Sequence, residues 1–321
     1  MNSPEKMEKK IIIASARGFC AGVIRAIHTV EQALKIFDHP LYVHHQIVHN
    51  KYVVEDLEKR GVRFIEELDE MPDNLPVIFS AHGVSPEVHK KAAQKNLQVI
   101  DATCPLVAKV HTEAIRYSKN GYRIFYIGHN NHPETKGTYG EAPEAITVIE
   151  NEAQADQLMA TKDKAAVLTQ TTLSIYDTEK VITSLKQKFP DLATPKKSDI
   201  CFATTNRQES VLTLSNNCDL VFILGSKNSS NSNRLKEVAF SQNTPSYLID
   251  GPEDIETEWL LNAQTVGITA GASAPEFLVT KTIEFLKEKF GFKNVEYRNI
   301  KEENISFQLP EELQKLLTKA Q

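Results

Sequence analysis

Long apolar runs are missing from this sequence. Nothing approaches the roughly 18 consecutive apolar residues that mark a membrane-spanning helix, so no membrane partner is expected. The opening Met1-Asn2-Ser3-Pro4-Glu5-Lys6 lacks the apolar centre of a secretory signal and the arginine-rich, acid-poor character of an organelle transit peptide. An excess of positive charge is missing too: the net charge is −5 with no basic stripe, which argues against nucleic acid as a partner. The 13 glycines form neither Gly-x-Gly-x-x-Gly nor a Walker loop, so no nucleotide fingerprint is present. Cysteine is scarce, four in 321 residues, and none are spaced as Cys-x-x-Cys, which disfavours a closed zinc site built from close ligand pairs. These absences predict a soluble, cytoplasmic protein whose thiols stay reduced. The length allows two or three modest domains.

What is present is one unit, met three times. An apolar run from Leu97 to Ile100 leads into Asp101-Ala102-Thr103-Cys104-Pro105, after which Leu106, Val107, Val110 and Ala114 recur at helical spacing. Pro105 suits the first helical position and puts Cys104 at or beside the N-cap, where unpaired N–H groups and the helix dipole favour thiolate. The same order starts from Ile11-Ile12-Ile13-Ala14 with Cys20 and from Asp199-Ile200-Cys201. Each cysteine is followed, after near-equal stretches, by a strand ending on a polar tip: His49 after Cys20, His132 after Cys104, Asn231 after Cys201. A second strand then ends on another tip, at His82, Thr171 and Ser273 respectively. The expected fold is α/β, with three similar domains over 11–97, 98–198 and 199–290 in a pseudo-threefold, trefoil-like arrangement, and a C-terminal strap over 291–321. Residues 1–10 read as a frayed polar lead. Cys218 lies outside the pattern and is expected to pack in the core.

In open α/β sheets ligands sit beyond the carboxyl ends of the strands, where these tips lie. Three convergent thiolates leave a fourth metal position open, which suits an open zinc or a 4Fe–4S cluster with one free iron; composition does not choose between them. His49, His82, His132, Thr171, Ser229, Ser230, Asn231 and Ser273 offer many donors and little fixed charge, several at predicted helix N-termini. That suits a phosphate or diphosphate. Glu134, beside His132-Pro133, is the one acid on these tips. A zinc hydrolase of a phosphorylated metabolite and a diphosphate-binding iron–sulfur sensor remain alternatives to a redox enzyme.

The motifs Arg17-Gly18-Phe19-Cys20-Ala21-Gly22-Val23, Ala81-His82-Gly83-Val84, Asp101-Ala102-Thr103-Cys104-Pro105, His132-Pro133-Glu134, Gln170-Thr171-Thr172-Leu173, Ala203-Thr204-Thr205-Asn206-Arg207-Gln208, Ser229-Ser230-Asn231-Ser232-Asn233-Arg234 and Ala270-Gly271-Ala272-Ser273-Ala274-Pro275 resemble those of the 4-hydroxy-3-methylbut-2-enyl diphosphate reductase family. The resemblance runs from about Ile11 to Pro310, with no departure at a functional position. It implies reductive removal of an allylic hydroxyl to give isopentenyl and dimethylallyl diphosphates, the last step of the methylerythritol phosphate route to isoprenoids. It further implies a central 4Fe–4S cluster on Cys20, Cys104 and Cys201 with one open iron, and reduced ferredoxin or flavodoxin as electron donor. By the same resemblance His49, His82, His132, Ser229, Ser230, Asn231 and Ser273 hold the diphosphate, and Glu134 with Thr171 forms the proton path.

Overall fold

The structure is a computed structural model that describes residues 8–299 and 301–319. The polar lead expected over residues 1–10 lies outside the described residues as far as residue 7, and so do residues 300, 320 and 321 of the expected strap. In chain order the elements are β1 (Lys10–Ala14), α1 (Ala21–Ala33), β2 (Leu41–His44), α2 (Lys51–Lys59), β3 (Val62–Ile65), β4 (Pro76–Phe79), α3 (Pro86–Gln94) and β5 (Gln98–Asp101). There follow α4 (Pro105–Lys119), β6 (Arg123–Ile127), α5 (Pro133–Glu141), β7 (Ile146–Ile149), α6 (Glu152–Asp156), β8 (Ala165–Thr169) and α7 (Ile175–Lys188). The last part holds α8 (Phe202–Ser215), β9 (Leu220–Leu224), α9 (Ser230–Ser241), β10 (Ser246–Ile249), β11 (Thr265–Ala270), α10 (Glu276–Phe290), β12 (Asn294–Arg298) and α11 (Glu311–Lys319).

The apolar strands are buried because every sheet is parallel and helices cover both faces. In the three-stranded sheet, Phe125, Ile127 and Val167 face one core with Val181 and Leu185 of α7. Their neighbours Ile124, Tyr126, Ala166 and Leu168 face the other, with Val110 and Ala114 of α4. The alternation is the two-residue period of a strand, and each such side chain fully buried contributes about 1.5–3 kcal/mol.

Three sheets share one topology. Their strand orders are β3-β2-β4-β5, β7-β6-β8 and β10-β9-β11-β1-β12. In the first, β5, which leads to Cys104, lies beside β4. In the third, β1, which leads to Cys20, lies beside β11 in register from Lys10↔Thr265 to Ile13↔Ile268. In the second, Ala193, ahead of Cys201, makes a parallel bridge to Ala166 of β8. The strand or bridge that leads to a cysteine thus lies in the sheet of another repeat, β5 beside β4, Ala193 beside β8 and β1 beside β11, so sheet membership is offset by one strand from the sequence repeat.

Two compact units result: Met1–Cys20, His49–Lys51 and Phe202–Asn304 in one, Ala21–Val48, Tyr52–Cys201 and Ile305–Gln321 in the other. The five-stranded sheet belongs to the first unit and the other two sheets to the second. The tail is part of both folds. β12 pairs in parallel with β1, from Lys10↔Asn294 to Ala14↔Arg298, and α11 packs on β5 and α1.

Candidate active site

The cysteines sit where their local sequences put them. Cys104 is the N-cap of α4 with Pro105 at the first helical position, and Cys20 and Cys201 immediately precede α1 and α8. None of the three is in a disulfide, and all are half-buried. Each is tied by its backbone to the polar tip at the end of a neighbouring strand: Cys20 N–H donates to Ala272 O at 3.1 Å, Cys104 N–H to Ala81 O at 3.0 Å, and Cys201 N–H to Thr171 O at 3.0 Å. Each lies at the start of a long helix. Cys218 differs. It packs against the core between β1 and α8, and burial pushes its thiol up to about 12.

In the first unit the tips after β9 and β11 meet the His49–Lys51 segment. Ser273 Oγ donates to His49 O at 2.8 Å. Lys51 N–H donates to Ser226 Oγ at 3.0 Å, and that hydroxyl donates to Asp250 at 2.6 Å. Asn231 Oδ1 accepts from Ala272 N–H at 2.9 Å, so its side chain joins the start of α9 to the loop after β11, whose Ala272 O accepts from Cys20 N–H. Ser229 caps α9 by accepting from Ser232 N–H. Ser229, Asn231 and Ser273 are buried, and Ser230 and His49 are half-buried. The strand ahead of the His49 tip stops at His44, where His45 turns the chain in the left-handed conformation with φ 59°.

In the second unit His82, His132, Glu134 and Thr171 form one cluster. The His82 and His132 rings stand edge to face, centroids 5.8 Å apart. His132 is the N-cap of α5, its Nδ1 accepting from Glu134 N–H at 3.2 Å. In the neutral ring that places the proton on Nε2. The Glu134 carboxylate accepts from both Thr171 groups, the N–H at 2.7 Å and Oγ1 at 3.1 Å. It is only 2 % exposed, and burial lifts its carboxyl to about 7 while the Thr171 hydrogen bonds pull the other way. A carboxyl poised near neutrality can both hold and give a proton.

Sequence reasoning missed the groups that support this cluster. Asp199 is buried, accepts from Thr169 N–H at 3.0 Å and pairs with Lys109 at 2.8 Å; burial lifts it to about 6 against the pull of Lys109. Gln170 accepts from His129 N–H at 3.1 Å and donates to Thr172 at 2.9 Å, which fixes the two loops that carry His132 and Thr171. The signal was its place beside Thr171 in the Gln-Thr-Thr motif.

The comparisons with known proteins identify the family. Residues 11–287 match the family model described as LytB protein. The chain belongs to the LytB family. It is 52% identical over 309 residues to the 4-hydroxy-3-methylbut-2-enyl diphosphate reductase of Pseudomonas aeruginosa (strain LESB58), covering 95% of this chain and 98% of that one. It is also 52% identical to the protein of the same name from Saccharophagus degradans, covering 95% and 99%. Among solved structures, the E-1-hydroxy-2-methyl-but-2-enyl-4-diphosphate reductase from Plasmodium falciparum superposes with a TM-score of 0.95 at 38% identity, covering 98% of this chain and 99% of that one. The LytB fold is therefore the mixed α/β fold with three parallel sheets described above.

The donor set suits an iron–sulfur group, as thiolates are the ordinary ligands of iron–sulfur clusters. Cys20, Cys104 and Cys201, each half-buried at the N-terminal end of a long helix, are residues of that type. Among the described residues no three His, Cys, Asp or Glu side chains form a preassembled metal site. Among them, too, no helix is long and apolar enough to cross a membrane.

Proposed function

We propose that this LytB-family chain is the reductase that removes the allylic hydroxyl of 4-hydroxy-3-methylbut-2-enyl diphosphate, giving isopentenyl and dimethylallyl diphosphates in the last step of the methylerythritol phosphate pathway. Family membership over 95% of the chain supports an oxidoreductase acting on a diphosphate. The observation that carries the mechanism is the buried Glu134–Thr171 pair, a carboxyl lifted to about 7 beside the anion-friendly start of α5.

The reaction takes in two electrons and two protons, breaks the allylic C–O bond, forms one C–H bond and releases water. Hydroxide is a poor leaving group, so the departing oxygen needs a proton. Glu134 holds that proton at the operating pH, and the Thr171 hydroxyl, 3.1 Å from its carboxylate, passes it on. His49, His82, His132, Ser229, Ser230, Asn231 and Ser273 hold the diphosphate, using neutral donors and the starts of α5 and α9. Cys20, Cys104 and Cys201 would hold a 4Fe–4S cluster, leaving one iron open. When bound, the cluster supplies electron transfer and a Lewis-acidic iron that no side chain provides. With no nucleotide fingerprint in the chain, the electrons come from outside, from reduced ferredoxin or flavodoxin in the cytoplasm.

The test is turnover by anaerobically purified protein. With a chemically reduced donor and the allylic diphosphate, both isoprenoid diphosphates should form. Zinc-dependent release of inorganic phosphate, with no reduced product, would establish the hydrolase alternative instead. An iron–sulfur protein that binds the diphosphate but never turns it over would be a sensor.

A further inference from the structure

Each cysteine loop is held by a cation that belongs to a different cysteine's helix. Arg25 lies on α1, which follows Cys20, and its Nη1 donates to Thr103 O at 3.0 Å, one residue ahead of Cys104. Lys109 lies on α4, which follows Cys104, and its Nζ donates to Lys197 O at 2.8 Å, to Ser198 O at 3.4 Å and to Asp199 at 2.8 Å, just ahead of Cys201. Arg207 lies on α8, which follows Cys201, and its Nε and Nη2 donate to Gly18 O at 3.2 and 2.6 Å, two residues ahead of Cys20. The cations occupy nearly the same helical position, one turn and a half beyond their own cysteine. The cycle closes on itself.

Each cation also has an acid. Asp101 takes the Thr103 N–H at 2.8 Å and its charge acts on Arg25; Asp199 pairs with Lys109. The loop ahead of Cys20, Ser15-Ala16-Arg17-Gly18-Phe19, has no acid of its own. The tail supplies one. Glu303 pairs with Arg207 through both carboxylate oxygens, at 2.9 and 3.2 Å, and also accepts from Asn206 at 3.0 Å. Arg207 has no exposed side-chain surface, so an ionised guanidinium at this place needs that partner. Farther along the tail, Gln308 O accepts from Arg25 Nε at 2.6 Å.

The geometry points to Arg25, Lys109 and Arg207 as a matched set of positioning residues, each carried on the helix after one cysteine and fixing the loop that presents the next. The tail completes two of the three, through Glu303 and Gln308. These residues touch backbone and acids rather than substrate, so their contribution is order: they hold the cysteine loops in place against fraying. Their effect on an iron–sulfur group rests on the cysteine assignment proposed above; the clamping itself does not.

Hydrogen exchange read by mass spectrometry on the full chain, purified anaerobically, separates the clamps. Arg25→Met should speed exchange about tenfold in residues 101–104 and leave residues 15–20 and 197–201 at their wild-type rates. Lys109→Met should act in the same way on 197–201, and Arg207→Met on 15–20. Glu303→Gln repeats the Arg207 test should that variant fail to fold. Iron release to a chelator should quicken in each variant, and Arg25→Lys and Lys109→Arg should restore both readouts. Wild-type exchange in the held loop would overturn the proposal, as would equal acceleration of all three loops, the mark of a general loss of stability. Exchange is read on the polypeptide, so a wild-type protein without iron and sulfide would sink the cluster assignment, while the exchange rates would still decide the clamps.

Discussion

Glu134 is a carboxyl for which burial outweighs hydrogen bonding: two bonds from Thr171 favour the ionised form, and its value still rises from 4.5 to about 7. A raised value means that the folded protein holds the proton more tightly than the unfolded chain. From about pH 4.5 upward the unfolded carboxyl ionises first, so stability falls until the folded group ionises near 7, and above that the loss is complete. Glutamine cannot ionise. The melting temperature of Glu134→Gln should therefore gain on the wild type as the pH is raised from about 5 to about 8. The same variant should bind substrate nearly normally and lose about 10²–10⁴-fold in turnover, seen by pairing a spectroscopic substrate titration with steady-state rates. Ser273 tests the diphosphate reading. Its hydroxyl also fixes His49 O, so Ser273→Ala removes one anion donor and loosens a second. Substrate and inorganic diphosphate should both bind more weakly, by about 1.5–3 kcal/mol for a charge-assisted bond, with the unphosphorylated alcohol unaffected in competition assays. Much at this scale was legible in the sequence: the cysteines at helix starts, Glu134 beside His132, and Cys218 in the core. Asp199, Lys109 and Arg25 were not, because a buried charge carries no local pattern and is recognised only by its partner across the fold.

At the scale of elements, the proposed diphosphate contacts draw on the starts of α5 and α9. Ser229 caps α9 while it is also a candidate ligand. Ser229→Ala should cost about 0.5–2 kcal/mol in chemical denaturation, separately from any loss in diphosphate affinity. Pro86, Pro105 and Pro133 all stand at the first position of their helices, which made these starts readable from sequence. Five-residue apolar strands such as Arg123–Ile127 and Leu220–Leu224 were equally readable. The sheet edges were not. β3, β7 and β10 have four residues each, with exposed or half-buried middles, too short for a period to declare itself. β12, Asn-Val-Glu-Tyr-Arg, is polar because it is an edge beside β1.

The whole molecule depends on which strand closes which sheet, and that was beyond the sequence. The spacing of Cys20, Cys104 and Cys201 displays a repeat, but parallel pairing of β1 with β11 joins the two ends of the chain, and no local pattern encodes a partner so distant. The tail reads in sequence as a strap with no contacts to assign. Its chemistry in the structure is specific: Glu303 neutralises the fully buried Arg207. Glu303→Ala leaves that charge unpaired and should cost about 3–5 kcal/mol in denaturant titrations. The central claim, three equivalent cysteines holding one iron–sulfur cluster, is tested most directly by iron and sulfide content of anaerobically reconstituted cysteine variants. Cys20→Ser, Cys104→Ser and Cys201→Ser should each lose most of the cluster and its visible absorption, and Cys218→Ser should keep both at the wild-type level. A folded Cys218→Ser without iron, or a Cys104→Ser that keeps its full content and turns over, would contradict the account.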